Sequence, residues 1–192
     1  MKNVVIVGVG ALGSHLALFL RNEAALKVID FDRVERKNVL AQFHGAPGVG
    51  NNKANSLRQA MQFFFGIQVA AIPHKLTWEN AEVLLNKTRL DLIIDCLDNG
   101  AARQIVQKVA RQEQVPCLHG ALAADGTFGR VVWDENFVID SEAVTGAPTC
   151  EGGEHLPFIG VASALLAKAA QEFLTKGKKI GFELHPGGVV RT

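Results

Sequence analysis

The chain has 192 residues, 48% of them hydrophobic and 20% charged, with a formal net charge of +1. That length suits one domain with a substantial core, and the composition excludes a disordered or fibrous chain. The near-neutral balance gives no global steering toward nucleic acid or an anionic membrane, so neither is expected as a partner and an anionic ligand has to be held locally.

The opening MKNVVIVGVGALGSHLALFL carries apolar runs, but glycines and His15 interrupt them well short of the roughly 20 apolar residues a spanning helix needs. No small-residue cleavage site follows, so a cytoplasmic location is the expectation. From there, short apolar runs alternate with amphipathic segments. NVVIVG, LKVIDF, IQVAAI, LDLIIDCL and VPCLHG read as buried strands; ALGSHLALFLRN, NKANSLRQAMQFFF, WENAEVLLNK and NGAARQIVQKVARQEQ read as the helices between them. Such βαβ repetition predicts an α/β, Rossmann-like, doubly wound, mostly parallel sheet.

After His119 the rhythm changes. GTFGRVVWDENFVID has alternation and a turn-like Asp134-Glu135-Asn136, which predicts an antiparallel hairpin and thus an antiparallel C-terminal extension. A polar loop, SEAVTGAPTCEGGEHLP, leads to the helix FIGVASALLAKAAQEFLTKG, and the final HPGGVVRT reads as a turn. Phe63 to Phe65 read as core plus a helix end, or as the seal of a protomer interface. No repeat or linker divides the chain, so residues 1–192 are expected to form a single domain.

Gly8, Gly10 and Gly13 follow a strand and open a helix, the arrangement that brings backbone N–H groups to a phosphate at a helix N-terminus. The alternative is that these glycines serve only helix-to-strand packing. Asp30 ends the second strand, where an acidic side chain accepts hydrogen bonds from ribose hydroxyls in dinucleotide-binding folds. An NAD-dependent oxidoreductase is therefore one reading, but it has no evident need for the Asp, Asn, Gln and Lys that follow.

Taken together, GVGALG, IDFDRVERKNVLAQF, VGNNK and IIDCLDN resemble the ThiF/MoeB/HesA family, bacterial relatives of ubiquitin-activating enzymes, from Val4 to about Leu174. The ordered D-x-D-x-V, N-x-x-x-Q and D-C-x-D-N elements carry the resemblance. It implies adenylation of the C-terminal glycine of a ubiquitin-like or sulfur-carrier protein, with ATP and magnesium, by a homodimer or hetero-oligomer. It also implies roles: Asp30 on the ribose; Asp32 and Gln42 as companions in the same motif; Asn38 and Lys53 along the phosphates; Lys53 neutralising transition-state charge; Asp98 as the magnesium ligand; Asn99 and Arg103 continuing that motif onto the next helix. Asp32 and Asn38 read equally as loop caps, Lys53 as a solvated helix residue, Asp95 as a strand-end acceptor, and Arg103 as a structural ion-pair partner.

The chain also departs from the family pattern. Ala41 stands where the resemblance expects an arginine that helps bind the triphosphate. The helix that precedes the first strand in the family, and sends a second arginine into the partner protomer, is expected to be missing. These departures support an alternative: a weakened or inactive nucleotide- and carrier-binding module that acts with a partner subunit. The paired zinc cysteines of many members are not present, so no zinc is expected. Cys150 falls where some members carry a carrier-linked cysteine and is a candidate nucleophile; His155, in the same loop, is a candidate aid to its deprotonation. Cys96 and Cys117 read as buried small hydrophobes, and the other histidines as structural or surface groups.

Overall fold

Alternation along one strand sets the layers of the fold. In β1 (Lys2–Val7), Val4 and Ile6 enter one buried cluster and Val5 and Val7 the other, because successive side chains of a strand point to opposite faces. The first cluster takes its cover from α1 (Ala11–Leu20), α2 (Lys53–Phe65) and α5 (Leu156–Lys176); the second takes it from α3 (Trp78–Leu84) and α4 (Gly100–Gln112). A strand covered on both faces has no polar side to show, hence its continuous apolar run. The computed structural model describes residues 1–86, 90–139 and 153–192.

The remaining strands are β2 (Ala24–Ile29), β3 (Ala70–Ile72), β4 (Leu92–Asp95), β5 (Cys117–Leu122), β6 (Gly129–Trp133), β7 (Phe182–His185) and β8 (Gly188–Arg191). They form one eight-stranded sheet in the order β3-β2-β1-β4-β5-β6-β7-β8. The first five are parallel and the last three antiparallel, which is the doubly wound sheet with an antiparallel extension that the sequence predicts. β1 sits between β2 and β4, with Val7 opposite both Ile29 and Asp95. Three carboxyl-terminal strand ends therefore meet at one place, where ligands of open α/β sheets bind.

The extension differs from expectation in its turns. The hairpin is formed by β5 and β6 through a turn over residues 123–128, closed by Ala123 N–H donating to Phe128 O at 2.8 Å. Asp134–Asn136 is instead a 3-10 turn that ends β6, held there because Asp134 is engaged by Arg111 and His119. The Pro186-Gly187 turn joins β7 to β8. Phe63 and Phe64 are 83% and 62% exposed, so the core part of that reading does not hold, although α2 does end there, at Gly66 in the left-handed conformation.

α5 is long and apolar enough to cross a membrane by length and composition. Its Ile159, Ala162, Ser163, Leu166, Ala167, Ala169 and Ala170 are buried in this fold, however, and Ser163 Oγ–H donates to Leu12 O of α1 at 3.3 Å. It serves as a core helix packed on α1.

Candidate functional site

The glycine loop leaves β1 at Gly8, whose φ is +87° and where an added Cβ would lie 2.9 Å from Cys96 O. Only glycine combines that conformation with such close backbone approach. A Cβ on Gly13 would run into Gly8 O. Both glycines are thus accounted for by the chain packing on itself. Gly10 is not: a Cβ there would meet nothing nearer than Gln42 Nε2, at 4.0 Å. Space above Gly10 opens beside the first turn of α1, whose N–H groups have no partner within the helix and attract anions.

Asp30 lies at the end of β2 and pins this loop. Its Oδ2 accepts from Val9 N–H at 2.8 Å and its Oδ1 from Asp32 N–H at 2.9 Å. Each oxygen keeps a further lone pair for a hydroxyl donor. Burial pushes the Asp30 carboxyl above its ordinary value, opposed by the Val9 hydrogen bond and the charge of Lys53. Asn52 caps α2, accepting from Asn55 N–H at 3.1 Å, and its amide donates to Asp30 O at 2.8 Å and Asp32 O at 3.2 Å. That cap fixes the start of α2 against β2, so Lys53, the first helical residue, reaches Asp32 Oδ2 at 3.2 Å with its side chain only 11% exposed. Asp30, Asp32 and Lys53, distant in sequence, are brought together.

The third wall is the 3-10 turn Arg36–Leu40 and the residues after it. Asn38 is buried and caps the turn, accepting from Glu35 N–H at 2.9 Å through Oδ1. Beyond it, α1 clamps the chain: Ser14 Oγ accepts from Phe43 N–H at 2.9 Å and His15 Nε2 donates to Ala41 O at 3.1 Å. Ala41 is fully buried, packed with Ala11 and Ile159. Gln42 and His44 are also buried, and among the described residues Gln42 Oε1 and His44 Nδ1 have no hydrogen-bond partner. Such orphaned acceptors are rare in folded chains. His44 Nε2–H donates to Val9 O at 2.8 Å. Burial holds the His44 pKa down to about 4, with Lys53 and His15 adding to the effect and the Val9 hydrogen bond opposing it.

Beyond β4, Asp98 and Asn99 are exposed; Asn99 caps α4, accepting from Ala102 N–H at 3.1 Å. Arg103 is buried and fully engaged, donating to Asp95 Oδ2 at 3.1 Å, to Gly120 O at 2.8 Å and to Leu97 O. Of its two expected roles, the ion-pair partner is the one these contacts build. Asp95 Oδ1 also accepts from Leu97 N–H at 2.9 Å. Both polar groups of Leu97 are therefore fixed, one residue before Asp98. Cys150 lies outside the described residues. Cys117 is buried, and burial pushes the thiols of Cys96 and Cys117 well above their ordinary range.

One cluster was not anticipated. His119, fully buried, bonds Asp95 Oδ2 through Nδ1 at 2.8 Å and Asp134 Oδ1 through Nε2 at 3.1 Å, and stacks on Phe137 with centroids 3.9 Å apart. Burial opposes its protonation, but the bonds to Asp134 and Asp95 outweigh that and raise its pKa. Asp134, although partly desolvated, is held down to about 2 by His119 and Arg111. Sequence spacing gives no sign of this cluster, because it needs the β4–β5 register that sets Asp95 opposite His119.

The open space at Gly10, the helix N-terminus, Lys53 and the Asp30 carboxylate form a donor and acceptor set that fits a nucleoside polyphosphate. No group of three or more His, Cys, Asp or Glu among the described residues could cage a metal. A magnesium ion held by one carboxylate and by substrate phosphates needs no such cage, and Asp98 is an exposed oxygen donor in the loop after β4.

Comparison with known proteins agrees with this architecture. The chain is 29% identical over 182 residues to the molybdopterin-synthase adenylyltransferase of Escherichia coli, covering 90% of this chain and 73% of that protein. It is 26% identical over 183 residues to the adenylyltransferase and sulfurtransferase UBA4 of Meyerozyma guilliermondii, covering 89% of this chain but 42% of the relative, so it spans less than half of that protein. The crystal structure of Escherichia coli MccB with ATP shares the fold, with a TM-score of 0.77 at 17% identity over 100% of this chain and 62% of that one. The structure of PaaA does so with a TM-score of 0.76 at 16% identity, over 100% and 64%. The ThiF family model matches residues 1–183, and the chain belongs to that family.

Proposed function

We propose that this protein adenylates the C-terminal glycine of a ubiquitin-like or sulfur-carrier protein, using ATP with magnesium. The observation that carries the reading is the meeting of the Gly10 turn after β1, Asp30 after β2 and Lys53 at the start of α2. The relatives named as adenylyltransferases support the reaction class.

In this reaction the carrier carboxylate attacks the α-phosphorus of ATP, an acyl–phosphate bond forms, the bond to the β-phosphate oxygen breaks, and pyrophosphate leaves. Asp30 accepts hydrogen bonds from the ribose. The α1 N-terminus and Gly10 receive the phosphates, and Asn38 and Gln42 line them. Lys53 neutralises charge that grows in the transition state, the contribution that preorganised cations make in such sites. Asp98 would hold magnesium, which would screen the polyphosphate charge, and Asn99 sets the start of the helix behind it. Asp95 and Arg103 act one layer back, fixing Leu97 and so the position of Asp98. The chain acts in the cytoplasm as a homodimer or with a second subunit.

Ala41 favours a second reading. Its buried methyl packs where the resemblance expects triphosphate-binding charge, and nearby Arg33 is already tied to Gly50 O at 2.7 Å. On this reading the isolated chain binds ATP and a carrier but needs a partner's cation for turnover. ATP–pyrophosphate exchange with candidate carriers separates the two. Exchange by the protein alone supports the enzyme, and ATP binding without exchange selects the module.

A further inference from the structure

The G-V-G turn is held from both sides at Val9. Its N–H donates to Asp30 Oδ2 at 2.8 Å, and its carbonyl accepts from His44 Nε2–H, also at 2.8 Å. The Asp30 contact lies in the family motif; the His44 contact is assigned no role by the reading above. A trans peptide is planar, and its C=O and N–H point in opposite directions. With the Val9 carbonyl drawn toward the buried His44 ring, the Gly10 N–H of the same peptide is turned to the opposite side. Gly10 is partly exposed, and a Cβ there would find open space apart from the Gln42 amide.

We infer that His44 is a positioning residue that orients the Val9–Gly10 peptide, so that the Gly10 N–H faces the phosphates of the bound nucleotide. This rests on the nucleotide reading of the site. His44 is suited to the task because it is itself fixed. Its backbone N–H donates to Gln42 O at 2.8 Å, it follows directly on the clamped 41–43 segment, and its side chain is buried. A carbonyl accepts only, so the hydrogen must sit on Nε2, and one tautomer is selected. Burial above all, with the nearby charge of Lys53 adding to it, keeps the ring neutral at physiological pH. The Nε2–H donor therefore acts without adding a second positive charge near the loop.

The test uses three substitutions. His44→Gln keeps an N–H donor at the reach of Nε2; His44→Asn moves the donor to the reach of Nδ1; His44→Leu removes it. ATP and adenosine are titrated into each isotopically labelled protein, with the Gly10 amide resonance as the reporter. The expected result is ATP binding weakened by about tenfold in His44→Leu and His44→Asn, the scale of one lost hydrogen bond to a charged group. Recovery toward wild type in His44→Gln and unchanged adenosine binding throughout complete the expectation. Should His44→Leu fail to fold, the Gln and Asn variants decide between them. Equal ATP affinity in all folded variants, or equal losses for ATP and adenosine, overturns the role of His44 and leaves the nucleotide site standing. A wild-type protein that binds no ATP overturns both.

Discussion

Two polar clusters lie side by side across the sheet and are built in opposite ways. Around His119 the charges are matched: the imidazole lies between Asp95 and Asp134, Arg103 shares Asp95 Oδ2 with it, and Arg111 takes the other oxygen of Asp134. Around Gly10 the partners run out, and Gln42 Oε1 and His44 Nδ1 are buried without donors among the described residues. A closed network of buried charge rigidifies what it touches, whereas a buried group without a partner carries a desolvation cost of about 1–3 kcal/mol. The first cluster behaves as scaffold and the second as site, though both are polar and both are buried.

The strongest way to break this contrast is at the scaffold. His119→Phe would leave Asp95 and Asp134 facing an apolar ring, and losing one member of a buried ionic cluster costs about 3–5 kcal/mol. Urea unfolding should show that loss, and a smaller effect than at a surface residue would mean the network is not structural. Lys53→Ala should do the reverse. With its partner Asp32 half-exposed, stability should barely move, while pyrophosphate exchange falls on the order of a hundredfold, as for other lost transition-state charges.

Acidity separates the clusters by sign. The His44 pKa is lowered to about 4, so the unfolded chain binds this proton first; stability falls as pH drops from about 6.5 toward 4, by at most about 3 kcal/mol. The His119 pKa is raised, so its contribution is complete below about 6.5 and is lost as pH climbs through the folded value. Equilibrium unfolding across pH should therefore show two limbs. His44→Gln should flatten the acid limb alone, and His119→Gln the alkaline limb alone. The smallest effect is expected at Ala41: an arginine there must displace Ala11 or Ile159, an overpacking cost of about 1–3 kcal/mol. A stable Ala41→Arg protein with raised exchange activity would show that the wall is softer than its burial implies.

The scaffold and the site were not equally legible in the sequence. The alternation of strands and helices, the glycine loop and Asp30 at the end of β2 can be read from it, because each depends on periodicity or on neighbours within a few residues. His119 cannot, since its partners come from a parallel neighbour and from the turn after an antiparallel one, and register is a property of the assembled sheet. The hairpin turn was displaced for the same reason: Asp134 has the composition of a turn tip, but its carboxylate is drawn inward to Arg111 and His119. Arg103 is intermediate. Its place on α4 is evident from the motif, yet only the fold shows its three acceptors.

The glycine loop has one more implication, for descent rather than chemistry. Gly8 and Gly13 are demanded by the chain's contact with itself, while Gly10 answers only to what lies outside it. In a lineage that ceased to bind nucleotides, selection on the first two would persist as long as the fold did, and selection on the third would lapse. A mutational scan of this loop for folding alone should accept alanine at Gly10 and reject it at Gly8 and Gly13. Position 10 is thus the place at which a retired relative would first record the loss of its ligand.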